Sequence, residues 1–457
     1  MKLHHLCCLL VGLIVSNVAA LGQTFRPLLN VQSYTVLTNP MDPQKAIIGS
    51  WSNRLYRTND YGESWSMIAV GTPGVATNFY MSVVQSSADT SVLIAGGFNV
   101  DGIRRSVNSG QTWERALNDP DFRRMFFISD AIVPDPTSTS SFVAARGEGG
   151  NTLYRSADNG ATWDSVSSVP QAITSRICTI TVRPDSAQQI LLGCKGGIIM
   201  RSSDSGLTWQ RASIAGRPGI KSDTEFPKIV YSPTVPNRVY AVAAIGLAQN
   251  RLQNGGLWRS DDAGASWSLI AFPDTSLWAL EIYEKNGVDQ IWVGGFRISN
   301  LSTVVPGAGI VARSVDDGAT WRYFNDDIPW GKSEDDDSLR NCWIFRYDRR
   351  TSRLYLAMQT GTFAFDESTS YVPNMSAKHR TLQLRAGGND IHVVDATPPS
   401  HEQRWELYTA SGESVASGVY LPVPEQHLNV PQLHSGWYLI RIGTDEFFRS
   451  TAIPILR

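Results

Sequence analysis

The sequence predicts an all-β protein, a seven-bladed β-propeller followed by a small antiparallel β-sandwich. A ten-residue motif ending in Trp occurs six times, and its tryptophans are successively 48, 50, 46, 58 and 54 residues apart. Between copies, each unit has the composition of four short strands separated by turns. A period near fifty residues with four strands is typical of propeller blades. The repeat ends near residue 370, where alternating strand-like runs of another kind begin.

The motif has the form Ser-x-Asp-x-Gly-x-Thr-Trp. In such a sequence the Asp or Asn side chain can bond nearby backbone amides, Gly permits the required backbone angle, and the hydroxyls cap remaining donors. The Trp begins the fourth strand and packs between neighbouring strands. We therefore predict a structural turn at every copy, with Asp60, Asn108, Asp158, Asp204, Asp262 and Asp316 as turn residues and Trp65, Trp113, Trp163, Trp209, Trp267 and Trp321 as packing residues.

The seventh blade has no motif of its own. After Trp321 come three strand-like runs, "CWIFRYD", "RLYLAMQ" and "GTFAFD". The segment 24–32, "TFRPLLNVQ", is similar to the strands that follow the motif tryptophans. We expect this N-terminal segment to supply the outer strand of blade 7, which closes the ring without leaving an open sheet edge.

The ends of the chain differ from the repeat. Residues 1–22 combine Lys2, an apolar run and small residues, which is the pattern of an export signal peptide. We assign 23–370 to the propeller, 371–380 to a linker and 381–457 to the sandwich. No later stretch is long and apolar enough for an integral membrane span.

Composition excludes several classes of function. The formal net charge is −2, and no basic stripe for nucleic acid is present. Every histidine lies either in the signal or in the last eighty or so residues, so the ring cannot hold a Ser-His-Asp system or a His-based zinc site. The acidic run 333–338 lacks the spacing of a calcium loop. Dinucleotide and phosphate motifs are also missing. We therefore expect no metal and no cofactor.

Two of the three cysteines after the signal could face each other. Cys178 and Cys194 are symmetric about Ser186, the centre of a predicted hairpin, and an exported protein can oxidise such a pair. Buried free thiols are equally compatible with the pattern. Cys342 leaves an odd count, which does not fit a disulfide framework.

The six motif copies resemble the Asp-box, or bacterial neuraminidase repeat, of sialidase-like, sortilin-like and photosystem II assembly factor-like propellers. The resemblance covers the ring and departs at Asn108, Thr58, Ser64 and Ser266. It implies that the boxes are structural turns. Ligands of such propellers bind on the opposite face, formed by the loops between blades and between strands two and three of a blade.

The tail resembles the type A C-terminal sorting domain of the type IX secretion system of Bacteroidetes. The segments "LYTASGESVASG" and "LNVPQLHSGWYLIRI" are those that match, whereas the usual Asn-Pro near the domain start is missing. The resemblance implies export across the outer membrane by secretion machinery, followed by surface anchoring or release. An ordinary accessory β-domain is the alternative.

The ligand-face loops offer charged and aromatic side chains for a glycan or protein ligand. We favour a binding protein, in which aromatic rings stack on sugars and charges orient them. A glycoside hydrolase using two carboxylates is the alternative, and a scaffold for protein partners is a third possibility. The candidate ligand-binding residues are Arg124, Arg176, Arg297, Arg340, Trp278, Trp330 and Asp336, with Trp51 and Trp343 as further aromatics on the same loops.

Overall fold

The structure is a computed structural model, and all elements in its described residues are strands or turns apart from one isolated 3₁₀ residue. The described residues are 25–70, 79–98, 102–117, 130–146, 151–170, 173–174, 176–215, 224–245, 255–296, 310–325, 328, 341–367, 382–387, 390–395, 402–409, 414–434, 436–443 and 447–455.

The propeller strands follow one another from the channel outward in each blade, after an initial strand β1 (Arg26–Leu29). Blade 1 contains β2 (Ser33–Thr38), β3 (Ala46–Ser50), β4 (Arg54–Thr58) and β5 (Ser64–Ala69). Blade 2 contains β6 (Phe79–Gln85), β7 (Leu93–Phe98), β8 (Ile103–Ser106) and β9 (Glu114–Leu117). Blade 3 contains β10 (Ile132–Pro134), β11 (Phe142–Ala145), β12 (Thr152–Ser156) and β13 (Asp164–Ser168).

The remaining blades have the same order. Blade 4 contains β14 (Ile177–Arg183), β15 (Ser186–Cys194), β16 (Ile198–Ser202) and β17 (Gln210–Arg211), followed by the short β18 (Ser213–Ile214). Blade 5 contains β19 (Thr224–Tyr231), β20 (Val239–Ile245), β21 (Gly256–Ser260) and β22 (Ser266–Ala271). Blade 6 contains β23 (Leu277–Lys285), β24 (Val288–Gly295), β25 (Val311–Ser314) and β26 (Arg322–Tyr323). Blade 7 contains β27 (Cys342–Asp348), β28 (Arg353–Met358) and β29 (Gly361–Asp366).

Seven blades form the ring, which confirms the fold class predicted from the sequence. Strand β1 pairs antiparallel with β29, with Arg26 opposite Ala364, and is therefore the outer strand of blade 7. Arg353 of blade 7 donates a hydrogen bond from Nη1 to the carbonyl of Tyr61, in the first Asp-box, at 2.8 Å. Since the two ends of the ring share one sheet, no covalent link is needed for closure.

The Asp-boxes share one hydrogen-bond pattern, which the third copy illustrates, except that in the fourth copy the Trp209 indole donates to the Ser167 hydroxyl instead of the Gly206 carbonyl. Ser156 Oγ accepts from the amide of Gly160 at 2.9 Å, and Asp158 Oδ1 accepts from the amide of Thr162 at 2.9 Å. The Thr162 hydroxyl donates to Asp158 Oδ2 at 2.6 Å, and the Trp163 indole donates to the Gly160 carbonyl at 3.1 Å. In the second copy Asn108 accepts from the Thr112 amide at 2.9 Å, as Asp does, but its own amide donates to the Thr112 hydroxyl at 2.8 Å.

The backbone of each box has two successive residues with positive φ. Asn159 has φ 59° and Gly160 has φ 74°, and the same pairing occurs at Ser205 and Gly206. Gly is needed at the second position, whereas Tyr, Ser, Asn, Ala and Asp all occur at the first. The first left-handed residue has no consistent identity, so the sequence pattern does not reveal it.

Backbone contacts in blade 1 identify the two faces of the ring. The amide of Tyr61 in the box bonds the carbonyl of Gln44, in the turn between β2 and β3. At the other end, the amide of Val70 bonds Asn53, in the loop between β4 and β3. We call the side with the boxes the box face and the side with the inter-blade loops the loop face.

The hairpin of β14 and β15 has a register that the symmetric sequence does not indicate. Cys194 pairs with Ile177, because the ladder is irregular between Ile177 and Thr179 and again beside Arg183. Cys178, Cys194 and Cys342 are free and buried. Burial is the main cause that raises the pKa of the Cys178 thiol. The predicted alternative of a Cys178–Cys194 disulfide is thus not formed, and the buried-thiol alternative is the observed one.

The tail consists of two sheets that share a core. Its strands are β30 (Leu382–Gly387), β31 (Asp390–Asp395), β32 (Gln403–Thr409), β33 (Ser414–Tyr420), β34 (Glu425–Asn429), β35 (Gly436–Gly443) and β36 (Phe447–Ile455). Strands β30, β31 and β34 form one sheet, and β33, β32, β35 and β36 form the other. Buried Ile391, Trp405, Leu407 and Ile440 belong to one cluster between them. Strand β36 also pairs with β5 of blade 1 through Phe447–Arg449, so this sheet continues into the ring.

Among the described residues, no helix is long and apolar enough to cross a membrane.

Candidate functional site

A buried aromatic cluster occupies the loop-face end of five consecutive blades. The inner strands of blades 1, 6 and 7 contribute Tyr34, Trp278 and Trp343 near their first residues. Trp278 packs against Phe296 with ring centroids 4.5 Å apart, and Trp343 packs against Tyr34 at 5.2 Å. Burial raises the pKa of Tyr34 well above its usual value. These rings pack the loop-face ends of the inner strands of blades 1, 6 and 7 against one another.

A stack of three aromatic rings leads from this cluster to the surface. Trp51 lies nearly parallel to Phe79, at an interplanar angle of 5° and a centroid separation of 6.4 Å. Phe79 stacks on Phe98 with centroids 5.2 Å apart and also contacts Tyr34 at 5.1 Å. Trp51 is 45% exposed, whereas most tryptophans of the ring are buried. An exposed, backed indole on the loop face is a flat apolar surface of fixed orientation.

Close backbone approach determines where Phe79 lies. Phe79 is directly opposite Phe98 in the β6–β7 ladder, and Trp51 forms a bridge with it from blade 1. A Cβ atom on Gly97 would overlap the Phe79 carbonyl group. Only glycine therefore permits this approach of β7 to the start of β6.

Arg176 is placed in a buried ion pair. Its guanidinium contacts the Glu225 carboxylate from the next blade, and both side chains are about one tenth exposed. The Cys178 thiol lies 3.9 Å from Glu225 Oε2. Burial opposes the charge of Arg176, but the neighbouring Cys178 and Glu225 raise its pKa overall. This pair joins blades 4 and 5 and is not presented to solvent as an anion site.

The predicted ligand-binding residues are only partly described. Trp278 is buried in the aromatic cluster and Arg176 in the ion pair. Five others lie outside the described residues, namely Arg124, Arg297, Arg340, Trp330 and Asp336. Trp51 is the one exposed aromatic of the described loop-face positions that the sequence indicated.

A second feature is a cavity of about 550 Å³ in the central channel. Its walls come from the box-face halves of the inner strands, and the turns beside Pro40, Ser87 and Pro184 surround its mouth. The walls combine aliphatic side chains, including Leu37, Val84, Val133, Val182, Val230 and Ile282, with hydroxyl, amide and charged side chains. The cavity thus has a mixed polar and aliphatic lining and lies on the side opposite to the loop-face aromatics.

Four charged side chains from four blades line this cavity. Lys228 contacts the Asp130 carboxylate, and Arg346 Nη2 lies 3.3 Å from Asp130 Oδ1. Arg346 Nε also donates to the Val36 carbonyl at 3.3 Å, and Glu281 Oε1 accepts from the Tyr347 amide at 3.1 Å. Burial lowers the pKa of Lys228, the nearby Arg346 lowers it further, and Glu281 opposes them. Two positive and two negative groups therefore share one low-dielectric space.

Sequence reasoning missed these four residues. Lys228, Glu281 and Arg346 are charged residues inside largely apolar inner strands, "EFPKIVY", "LWALEIY" and "CWIFRYD". The sequence signal that could have identified them is a charged residue at a strand position that faces the channel. Asp130 precedes β10 and has a φ of 54°, which no sequence feature indicates. No group of three or more metal-ligating side chains is arranged to hold an ion within the described part of the chain.

Comparisons with known proteins agree with an Asp-box propeller. A family model for sortilin, neurotensin receptor 3, matches residues 151–288. A xyloglucanase from Hypocrea jecorina (strain QM6a) is 24% identical over 307 residues, which is 63% of this chain and 32% of that protein. A xyloglucanase from a Paenibacillus species is 29% identical over 140 residues, or 27% of this chain and 13% of the relative. The chain thus spans a third or less of the length of these relatives.

Solved structures show the same fold at low identity. The GH74 xyloglucanase from Xanthomonas campestris is similar with a TM-score of 0.54 at 14% identity, covering 94% of this chain and 67% of the other. An ancestral GH74 enzyme has a TM-score of 0.55 at 13% identity, covering 94% and 63%. YCF48 bound to D1 peptide has a TM-score of 0.50 at 16% identity, covering 74% and 93%. The chain is therefore a seven-bladed β-propeller similar to Asp-box proteins that include xyloglucanases.

Proposed function

We propose that this protein is an exported binding protein that holds a glycan on the loop face of its propeller. The observation that supports this most directly is the stack of Trp51, Phe79 and Phe98. An exposed indole backed by a second ring is held at a fixed angle, so little side-chain entropy is lost when a ligand packs on it. The apolar C–H face of a sugar ring is a flat partner for such a surface, and the likeness to xyloglucanases favours a polysaccharide.

Hydrolysis is the second candidate, because carboxylates occur near the ring axis. Glycoside hydrolysis needs two carboxyl groups that flank one glycosidic bond. On the loop face, Glu225 is buried against Arg176. Asp130 and Glu281 line the channel cavity, which lies in the box-face half of the ring. Asp130 also contacts Lys228 and Arg346. A polymer bound on the loop face would not reach them. Among the carboxylates in the described part of the chain, these positions favour binding over cleavage.

Export is part of the proposal. The leader-like residues 1–22 support passage across the inner membrane, and the tail motifs support a type IX sorting domain that engages outer-membrane secretion machinery. The mature protein would then lie at the cell surface or outside the cell. We retain the boundaries 23–370, 371–380 and 381–457 for the propeller, linker and tail.

The test uses the chain from residue 23 to 457 on an array of polysaccharides, with product release assayed on the same panel. We expect saturable binding to a β-glucan-type polymer without release of reducing ends. Trp51→Ala should weaken binding at least tenfold, which corresponds to about 1.4 kcal/mol. Tyr323→Ala is the matched control, because Tyr323 is a comparably exposed aromatic side chain on the outer strand of blade 6.

Three results would contradict the binding proposal. Product release would establish the hydrolase. Binding that is indifferent to Trp51→Ala would place the ligand elsewhere. No binding to any glycan would favour a protein partner, for which the fold shared with peptide-bound YCF48 is a precedent.

A further inference from the structure

The channel cavity is chemically distinct from the loop-face stack. Leu37 and Thr38 are the last residues of β2, whereas Tyr34 of the aromatic cluster is near its beginning. In β23, Trp278 belongs to the cluster, while Glu281 and Ile282 line the cavity. The two sites therefore occupy opposite halves of the same inner strands. A ligand of one does not contact the other.

The four charged groups are not equally available to a ligand. Lys228 is almost fully buried and in direct contact with Asp130, so these two groups largely neutralise each other. The side chain of Arg346 is 32% exposed, and its hydrogen bonds to the Val36 carbonyl and to Asp130 Oδ1 are both long, at 3.3 Å. Glu281 accepts one backbone hydrogen bond through Oε1 and is only half-buried. Arg346 and Glu281 are thus the cation and the anion that face the cavity with capacity to spare.

Both groups line the same cavity. The Glu281 carboxylate of blade 6 accepts from the amide of Tyr347, the residue next to Arg346 of blade 7, while the Arg346 guanidinium extends to the Val36 carbonyl and Asp130. A purely anionic ligand would meet Arg346 but also the two carboxylates, and a purely cationic ligand would meet Lys228 and Arg346. Either mismatch inside a low-dielectric cavity is costly. A ligand with both charges close together satisfies both groups.

The walls add a requirement for apolar surface. The aliphatic lining residues that keep some exposed surface are Leu37, Val84, Val133, Val182, Val230 and Ile282. Burial of an aliphatic side chain against such a wall is favourable. Sugars, which pack best on aromatic rings, find only Tyr231 among the lining residues.

We propose that the channel is a binding site for a small zwitterion with an aliphatic side chain, of the α-amino-acid type, which enters from the box face. The ligand carboxylate bonds the Arg346 guanidinium, and its ammonium bonds Glu281. The aliphatic side chain lies along the Leu, Ile and Val wall. This site is independent of glycan binding, so either proposal can fail without the other.

The experiment is a calorimetric titration of the chain 23–457 with L-leucine as the probe. We expect one site with a Kd below about 1 mM, that is, about −4 kcal/mol or better. Glycine, which lacks the aliphatic group, N-acetyl-leucine, which lacks the cation, and leucine methyl ester, which lacks the anion, should each bind at least tenfold more weakly. Binding of N-acetyl-leucine as tight as that of leucine would overturn the proposal in favour of an anion site, and no heat with leucine at 20 mM would overturn it outright.

Glu281→Gln is the decisive variant, because the amide oxygen can still accept from Tyr347 while the charge is lost. It should weaken leucine binding at least tenfold. Glu284→Gln is the matched control on the same strand, since Glu284 is exposed and bonds only a turn amide at 2.7 Å. Equal affinity in both variants would overturn the proposal. Glu281→Gln should leave glycan binding unchanged. Measuring both ligands therefore distinguishes a failure of the channel proposal from a failure of the loop-face proposal.

Discussion

Tyr283 donates a hydrogen bond from its hydroxyl to Glu367 Oε1 and thereby joins the inner strand of blade 6 to the residue that follows blade 7. The Glu367 side chain is fully buried and also pairs with Lys285 and Arg313, each at 2.7 Å. The Tyr283 ring stacks on Tyr347 of blade 7. One carboxylate therefore connects the last blades at the box face, where the chain leaves the ring.

Replacing this carboxylate should destabilise the ring. Glu367→Gln keeps the shape but leaves Lys285 and Arg313 without their counter-charge, which should cost about 3 kcal/mol of the free energy of unfolding. Urea unfolding followed by tryptophan fluorescence measures it, since the Trp292 indole donates to Tyr283 at 3.0 Å. Glu114→Gln, which removes an exposed partner of Arg105, should change stability by less than about 1 kcal/mol. Equal effects of the two substitutions would refute the role of Glu367.

The Asp-box pattern predicts that hydrogen bonds, more than charge, hold the turn. Asn108 replaces Asp in one natural copy with the bonds preserved. Asp158→Asn should therefore lower the midpoint of thermal unfolding less than Asp158→Ala does. Ser156→Ala removes the acceptor of the buried Gly160 amide and should cost about 1–3 kcal/mol. Calorimetric unfolding of the three variants tests this, and an Asn variant as damaging as the Ala variant would contradict it.

The boxes also predict an acid-dependent loss of stability. Hydrogen bonds from the Thr208 hydroxyl and amide, and from Ser202, lower the pKa of Asp204 to about 2. An unfolded Asp has a pKa near ~3.9. Because the folded pKa is the lower one, the stabilisation is complete above about pH 4 and is lost as the pH falls towards about 2.

The measurement for Asp204 is a carboxyl titration by NMR together with unfolding midpoints between pH 5 and 2. Between those pH values, Asp204→Asn should lose less stability than the wild type, since the variant has no group to protonate at this position. A normal titration midpoint for Asp204, or identical pH profiles for the two proteins, would show that the turn does not favour the charged form.

Close packing at Gly97 gives a prediction about the loop-face stack. Gly97→Ala forces the Phe79 backbone to move, which should cost about 1–3 kcal/mol and weaken glycan binding. Gly287→Ala is the comparison. The added Cβ atom would have no non-neighbouring atom within 4 Å, and only the φ of 76° is unfavourable for alanine. It should cost about 1–2 kcal/mol and leave binding unchanged. Binding that survives Gly97→Ala would mean that the ligand does not depend on Phe79.

The three thiols should be inert in the folded protein. Cys178, Cys194 and Cys342 are buried, and burial is the main cause that raises the pKa of each. Thiolate is the reactive form, so a disulfide-exchange reagent should not label the native chain 23–457 at pH 8. It should release three equivalents after unfolding in guanidinium without reductant. One equivalent would instead indicate a disulfide between Cys178 and Cys194.

The spacing of the boxes could be read directly from the sequence because their chemistry is local. Ser156, Asp158, Gly160 and Thr162 bond each other within a few residues, so a motif of ten residues specifies the turn, and its period specifies the blade. The outer strand of blade 7 could also be predicted, because the segment 24–32 is similar to the strands that follow the motif tryptophans. Its partner β29 nevertheless lies more than three hundred residues away in the sequence.

Only the tertiary structure decided which side chains of the ring are exposed and which charges meet. Trp278 and Trp51 both lie beside loop-face turns, yet neighbouring blades bury Trp278 and leave Trp51 exposed. The register irregularities in β14–β15 place Ile177, and not Cys178, opposite Cys194. Asp130 and Arg346 are 216 residues apart and meet because seven inner strands converge on one channel. Such contacts depend on the curvature of the whole ring, which no local pattern encodes.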